Sequence, residues 1–187
     1  EINADGDDFG FVVEGMLFIN LIKKLREDKV DLILDGNNLK LSAQGFETKL
    51  STLNLEDFPK LPELGESIEF KVNRDVFLNN IYATATSVSD DQARPILSCI
   101  RFDFIHKSLT MVTLDGFRLS ASNIPIDREL PTMGVNVPYK QLSKIIKNIN
   151  DEEITIKIAQ RTFEDKTTCT HIIIKDNNNI RGTKLFE

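Results

Sequence analysis

One pattern, a strand followed by an amphipathic helix and then by several strands, occurs three times along the chain, and it restricts the fold more than any single residue does. In the first occurrence residues 11–13 read as a short strand and 16–26 as a helix, with Phe18, Leu21, Ile22 and Leu25 at helical spacing. Residues 30–34, 39–42 and 46–50 follow as strands, with a turn at Asp35-Gly36-Asn37-Asn38 and a break at Gly45. In the second, residues 68–72 precede a helix over 74–88 whose inner face is Phe77, Leu78, Ile81 and Ala85; 96–104, 109–114 and 118–122 are strands. In the third, 135–137 is a strand and 139–149 a helix with Leu142, Ile145, Ile146 and Ile149 inward. Strands at 154–159, 170–174 and 180–185 complete it, with a turn at 176–179. Residues 55–65 hold two prolines and no period, so they read as a linker, and the proline-bearing stretch 123–131 reads as a crossover into the third unit. The class is therefore α+β, divided at the linker into residues 1–66 and 67–187.

Inside the second unit, Asp115-Gly116 stands between two apolar runs, the strongest short-range signal of a hairpin, and a type I′ turn there needs positive φ at both central residues. Phe117, Arg118 and Leu119 follow at once. Two readings fit: an edge strand with Arg118 solvated and Phe117 and Leu119 buried, or a lip on which a partner docks.

Charge is unevenly spread. The chain totals −6, yet the helices over 16–26 and 139–149 each carry three basic residues and no acid. These are Lys23, Lys24 and Arg26 in one, and Lys140, Lys144 and Lys147 in the other, where spacings of four and three put all three on one face. An ordinary solvated face, helped by the helix dipole, and a surface for nucleic acid both fit that pattern. No apolar run approaches the ~20 residues of a membrane span, and the first residues lack the basic-then-apolar layout of a signal peptide, so a cytoplasmic protein is expected. Cys99 and Cys169 lie in strand-like runs without CxxC spacing and read as buried free thiols.

No catalytic constellation assembles. His106 and His171 are far apart in sequence and have no Ser or Cys partner motif, and there is no phosphate-cradling glycine loop, GxSxG elbow or HExxH. The acidic opening Asn3-Ala4-Asp5-Gly6-Asp7-Asp8 with Glu14 departs from a calcium loop, because its glycine comes fourth instead of sixth and a strand follows. Asp90-Asp91, adjacent after a helix, reads as two solvated carboxylates. No catalytic residue, metal ligand or cofactor is expected.

With these residues in view, the chain resembles the bacterial sliding clamp, the beta subunit of DNA polymerase III. Leu50-Ser51-Thr52-Leu53 with Glu56-Asp57-Phe58-Pro59 is similar to the end of that family's first domain. Arg94-Pro95-Ile96-Leu97 with Ile100-Arg101-Phe102 is similar to the segment that opens the sheet of its second domain. The stretch from Val112 through Asp115-Gly116-Phe117-Arg118-Leu119 resembles the family's Ala-Thr-Asp-Gly-His-Arg-Leu, and Val137-Pro138-Tyr139-Lys140 and Thr183-Lys184-Leu185 resemble later landmarks. The resemblance implies a non-catalytic processivity factor, built of clamp domains with antiparallel sheets outside and helices on one face. Such clamps are head-to-tail homodimer rings that encircle duplex DNA. It implies DNA-facing roles for Lys23, Lys24, Arg26, Arg94, Lys140, Lys144 and Lys147, each making weak phosphate contacts that carry no sequence information. It implies a groove for short peptides, of the Gln-x-x-Leu-Phe type, from the polymerase, the clamp loader and repair proteins, with Leu97, Leu114, Gly116, Phe117, Arg118 and Leu119 on this chain. Leu114 stands where threonine is usual and Phe117 where histidine is usual, which makes the lip more apolar. By the same resemblance residues 1–66 are the second half of a first domain, expected to expose an apolar face and so to self-associate or stay partly mobile, and 67–187 are nearly all of the central one. The alternative is a peptide-binding module of the same fold that does not encircle DNA.

Overall fold

The computed structural model describes residues 5–26, 28–58, 66–147, 149–163, 166–177 and 179–186. Contacts divide the chain into two units, Glu1–Pro62 and Glu63–Glu187.

The first unit holds helix α1 (Gly15–Lys24) and strands β1 (Asp31–Asp35), β2 (Asn38–Ala43) and β3 (Phe46–Ser51), which form one antiparallel sheet in that order. Asp35 pairs with Asn38, so Gly36 and Asn37 make a two-residue turn, and Gly36 takes the positive φ of 57° that its first position asks of glycine. Leu39, Leu41 and Leu50 are buried on the sheet. The expected strand over 11–13 is reduced to a single bridge from Val12 to Leu53. In α1, Phe18, Leu21 and Leu25 are half-buried, but Ile22, expected inward, is exposed, and so are Met16, Leu17 and Ile19. Of the expected linker, Leu55–Asp57 forms a 3-10 turn capped by the Asn54 side chain, which accepts from the Glu56 N–H; residues 59–65 lie outside the described residues.

The second unit runs β4 (Ser67–Asn73), α2 (Arg74–Thr84), a 3-10 turn Ala85–Ser87, a second one Pro95–Ser98, β5 (Cys99–Leu114), β6 (Leu119–Pro138), α3 (Tyr139–Ile145), β7 (Glu153–Phe163), β8 (Lys166–Lys175) and β9 (Ile180–Lys184). Two antiparallel sheets result, one ordered β4-β7-β8-β9 and one of β5 and β6. The Asn73 side chain accepts from the Val76 N–H and so caps α2. As the periodicity predicts, Phe77 and Ile81 of α2 and Leu142 of α3 are buried, with Leu78 and Ala85 packed against the same core. The core joins both sheets and both helices: Phe70 meets Phe104 edge-on, and Phe77 meets Phe102.

Four further expectations need correction. The strands expected over 96–104 and 109–114 are one strand, β5, entered through the 3-10 turn that Pro95 begins, and the crossover expected over 123–131 lies within β6. Register shifts at Phe104, His106 and Ser108 leave extra residues on β6, so the ladder bends and passes on without a break. Prolines fit there because each strand of this two-stranded sheet keeps one edge without a ladder partner. The helix expected over 139–149 ends at Ile145, where a run of β-branched isoleucines favours helix less, although Ile146 and Ile149 are still buried. The turn after β5 is not type I′: Leu114 pairs with Leu119, leaving four residues between them, and Gly116 has positive φ while Asp115 does not.

Candidate partner-docking site

The tip of the β5–β6 hairpin is built around one carboxylate. Asp115 Oδ1 accepts from the N–H groups of Phe117 at 2.9 Å and Arg118 at 2.7 Å, and Oδ2 takes Arg118 Nε at 2.9 Å and Nη2 at 2.8 Å. The Asp115 N–H donates back to the Arg118 carbonyl. An aspartate folding over its own following backbone is a turn in its own right, and it replaces the I′ geometry. These bonds, the Arg118 and Phe117 amides first and the Arg118 guanidinium after them, lower the Asp115 carboxyl to about 2. At φ = 97°, Gly116 occupies a conformation that L side chains rarely adopt.

So fixed, the tip presents apolar surface to solvent. Phe117 is 97% exposed, Leu119 64%, and Leu114 is exposed as well, so the edge-strand reading that buries Phe117 and Leu119 does not hold.

A second segment, residues 89–97, comes up beside the tip. Asp91 Oδ1 accepts from the Ala93 N–H at 2.9 Å and Oδ2 pairs with Arg94 Nε at 2.9 Å, which together hold the Asp91 carboxyl below its usual range. The Asp91 N–H donates to Ser89 Oγ, the Ser89 N–H to the Leu97 carbonyl, and the Leu97 N–H to the Arg94 carbonyl. Arg94 Nη1 then lies 3.9 Å from where a Cβ on Gly116 would be. The structure thus brings Arg94, expected with the DNA-facing residues, to the hairpin tip. Leu97 is half-buried in the same turn and Ile96 is exposed. Asp91 and Ser89 were not legible as parts of this site. The spacing of Asp91 and Arg94, three apart, was the signal available for the first.

The other basic residues belong to two helices and the residues just after them. Lys23 and Lys24 are in the last turn of α1, Arg26 follows it, Lys140 and Lys144 are on α3, and Lys147 lies past its end. All six are exposed, and among the described residues none is in an ion pair. Lys24 and Arg26 stand with Leu21, Leu25, Ala43, Gln44 and Phe46 around a cleft of the first unit.

Asp90 is exposed, as are Asp5, Asp7, Asp8 and Glu14, while Asn3 and Ala4 lie outside the described residues. Among the described residues no three His, Cys, Asp or Glu side chains gather as metal ligands would. His106 is exposed with Nδ1 3.4 Å from Glu129, and Cys99 is a buried free thiol whose pKa burial raises. No helix among the described residues is long and apolar enough to cross a membrane.

Compared with known proteins, residues 71–186 match the sequence profile of the DNA polymerase III beta subunit, central domain, and residues 1–62 that of its N-terminal domain. The chain is 25% identical over 163 residues to a beta sliding clamp of Halalkalibacterium halodurans, covering 85% of this chain and 42% of that protein. It is 25% identical over 181 residues to the beta sliding clamp of Bacillus subtilis, covering 94% of this chain and 45% of the relative. In fold it is similar to the crystal structure of the DNA polymerase III beta chain from Streptococcus pneumoniae TIGR4, with a TM-score of 0.83 at 24% identity over 97% of this chain and 47% of that one. It spans less than half the length of each of these relatives.

Proposed function

Because the chain belongs to the family of the DNA polymerase III beta subunit, the bacterial sliding clamp, we propose that it serves DNA replication in the cytoplasm as part of a non-catalytic, ring-forming homodimer. That ring encircles duplex DNA and tethers the polymerase, the clamp loader and repair proteins. Residues 1–66 would contribute the second half of a first clamp domain and 67–187 the central one.

The observation that carries this reading over a DNA-independent one is the placement of charge. In a chain of net −6, Lys23, Lys24, Arg26, Lys140, Lys144 and Lys147 sit on or just beyond two helices, exposed and without ion pairs among the described residues. A ring holds DNA topologically, so contacts of this kind need only be weak, mobile and blind to sequence. Leu97, Arg94 and the tip from Leu114 to Leu119 would form one wall of the partner groove. A peptide-binding module that does not encircle DNA is the second reading, favoured by the acidic total and by Leu114 and Phe117 on the lip.

Titrating the chain with two duplexes of unrelated sequence tests the choice. Expected are equal, weak amide shifts over residues 23–26 and 140–147 that fade between 50 and 200 mM salt. Replacing Lys140, Lys144 and Lys147 by alanine should lower the salt slope by about 2 to 3. Absence of shifts at low salt, or shifts that depend on sequence, would favour the second reading.

A further inference from the structure

The two segments that meet at the tip are joined underneath by hydroxyls. Ser120, the residue after Leu119, has its Oγ 2.7 Å from Ser87 Oγ and 3.0 Å from Thr86 Oγ1. Thr86 Oγ1 donates to the Ala83 carbonyl, so its one proton is spent. Counting protons, Ser120 donates to Thr86 and accepts from Ser87, and the bonds run in one direction through all three groups.

Position makes this chain of hydroxyls more than local glue. Ser87 is buried and lies two residues before Ser89, whose N–H and Oγ bond Leu97 and Asp91 and so shape the turn that carries Arg94. Ser120 lies one residue beyond the lip. The Ser87–Ser120 bond therefore ties the strand just beyond Leu119 to the residues that, through Ser89 and Asp91, bring Arg94 up beside Gly116. It lies nearer the lip than the Thr113–Thr84 and Thr84–Ser122 bonds, which tie the same strands to the end of α2.

We propose that Ser120 is a positioning residue, whose hydroxyl fixes the spacing between the hairpin tip and the 89–97 segment, the two parts of the wall that this chain would offer to a partner peptide. This rests on the peptide-docking part of the proposed function. Fixing the two segments before binding lowers the ordering cost that binding carries, so the latch acts on affinity as well as on stability.

Ser122 supplies a matched control. It shares the face of β6 two residues on, and its Oγ is 2.8 Å from Thr84 Oγ1, within α2 and away from the lip. Ser120→Ala, Ser120→Thr and Ser122→Ala are compared in this chain by amide spectra, thermal melts and titration with the pentapeptide Gln-Ala-Ser-Leu-Phe. In the free protein, Ser120→Ala should move amides over both 89–97 and 114–119, Ser120→Thr should restore them, and Ser122→Ala should leave both segments in place. Ser120→Ala, which removes both hydroxyl bonds, should weaken the peptide about fivefold if about 1 kcal/mol of their contribution reaches binding, while Ser122→Ala lowers the melting temperature comparably with the affinity unchanged. The proposal is overturned if the free-state shifts of Ser120→Ala stay around residues 86, 87 and 120, or if Ser122→Ala weakens the peptide equally. If the unaltered chain takes no peptide, this wall does not hold the peptide by itself, and the free-state spectra decide whether Ser120 holds the two segments.

Discussion

The hairpin tip and helix α1 both show large apolar side chains to water, Phe117 and Leu119 in one and Met16, Leu17 and Ile19 in the other, but they are held very differently. At the tip, one aspartate organises the turn, Arg94 is braced by Asp91 beside Gly116, and the strands beneath run into a core shared by two sheets and two helices. In α1, Glu14 makes no capping bond through its side chain, the first turn holds no acid, and no residue is buried. The difference separates two causes of exposure. A helix whose apolar side lacks cover is a surface left open, whereas a phenylalanine almost fully exposed on a braced turn is apolar surface held in one place.

The comparison breaks most readily from below. Phe77→Ala, which empties a fully buried site against Phe102, should cost about 3–5 kcal/mol and should melt the tip with the core while α1 amides keep their shifts; urea unfolding followed residue by residue checks it. A smaller loss, about 1–2 kcal/mol in the same measurement, is expected of Thr113→Val, because the buried Thr113 hydroxyl donates to the Thr84 carbonyl at 2.6 Å and ties β5 to α2 just under the tip.

Acid should affect the tip more than α1. The folded Asp115 carboxyl titrates near 2, below the ordinary 3.8, so its bonds stabilise the tip fully above about pH 4 and are lost as the pH falls through about 2. The Phe117 and Arg118 amides should report that step, and Asp115→Asn should remove it. Smallest of all is Leu17→Gln in α1: stability should stay within about 0.5 kcal/mol, while self-association measured by sedimentation falls.

Much of the scaffold could be read from period alone. The inner faces of α2 and α3 follow their apolar spacing, and the turn at Gly36 falls where glycine and asparagine signal it, because these features depend on residues close together in the chain. The long β5–β6 ladder was not legible. Its prolines and polar residues over 123–131 look like a loop, and they become strand only because a bulge and open edges accommodate them. At the site, Asp115-Gly116 announced a turn but named the wrong one, since Arg118 and two amides compete for the aspartate. Arg94 entered with the DNA-facing residues through the resemblance, and its place beside Gly116 shows only in the folded chain.

The most direct measurement is an amide titration of this chain with the pentapeptide Gln-Ala-Ser-Leu-Phe, with Leu119→Ala as the control. A positioned lip predicts saturable shifts at Leu97 and from Leu114 to Leu119, lost in Leu119→Ala, with α1 unmoved. Shifts spread equally over Met16, Leu17 and Ile19, or a tip that stays silent at high peptide concentration, would contradict it.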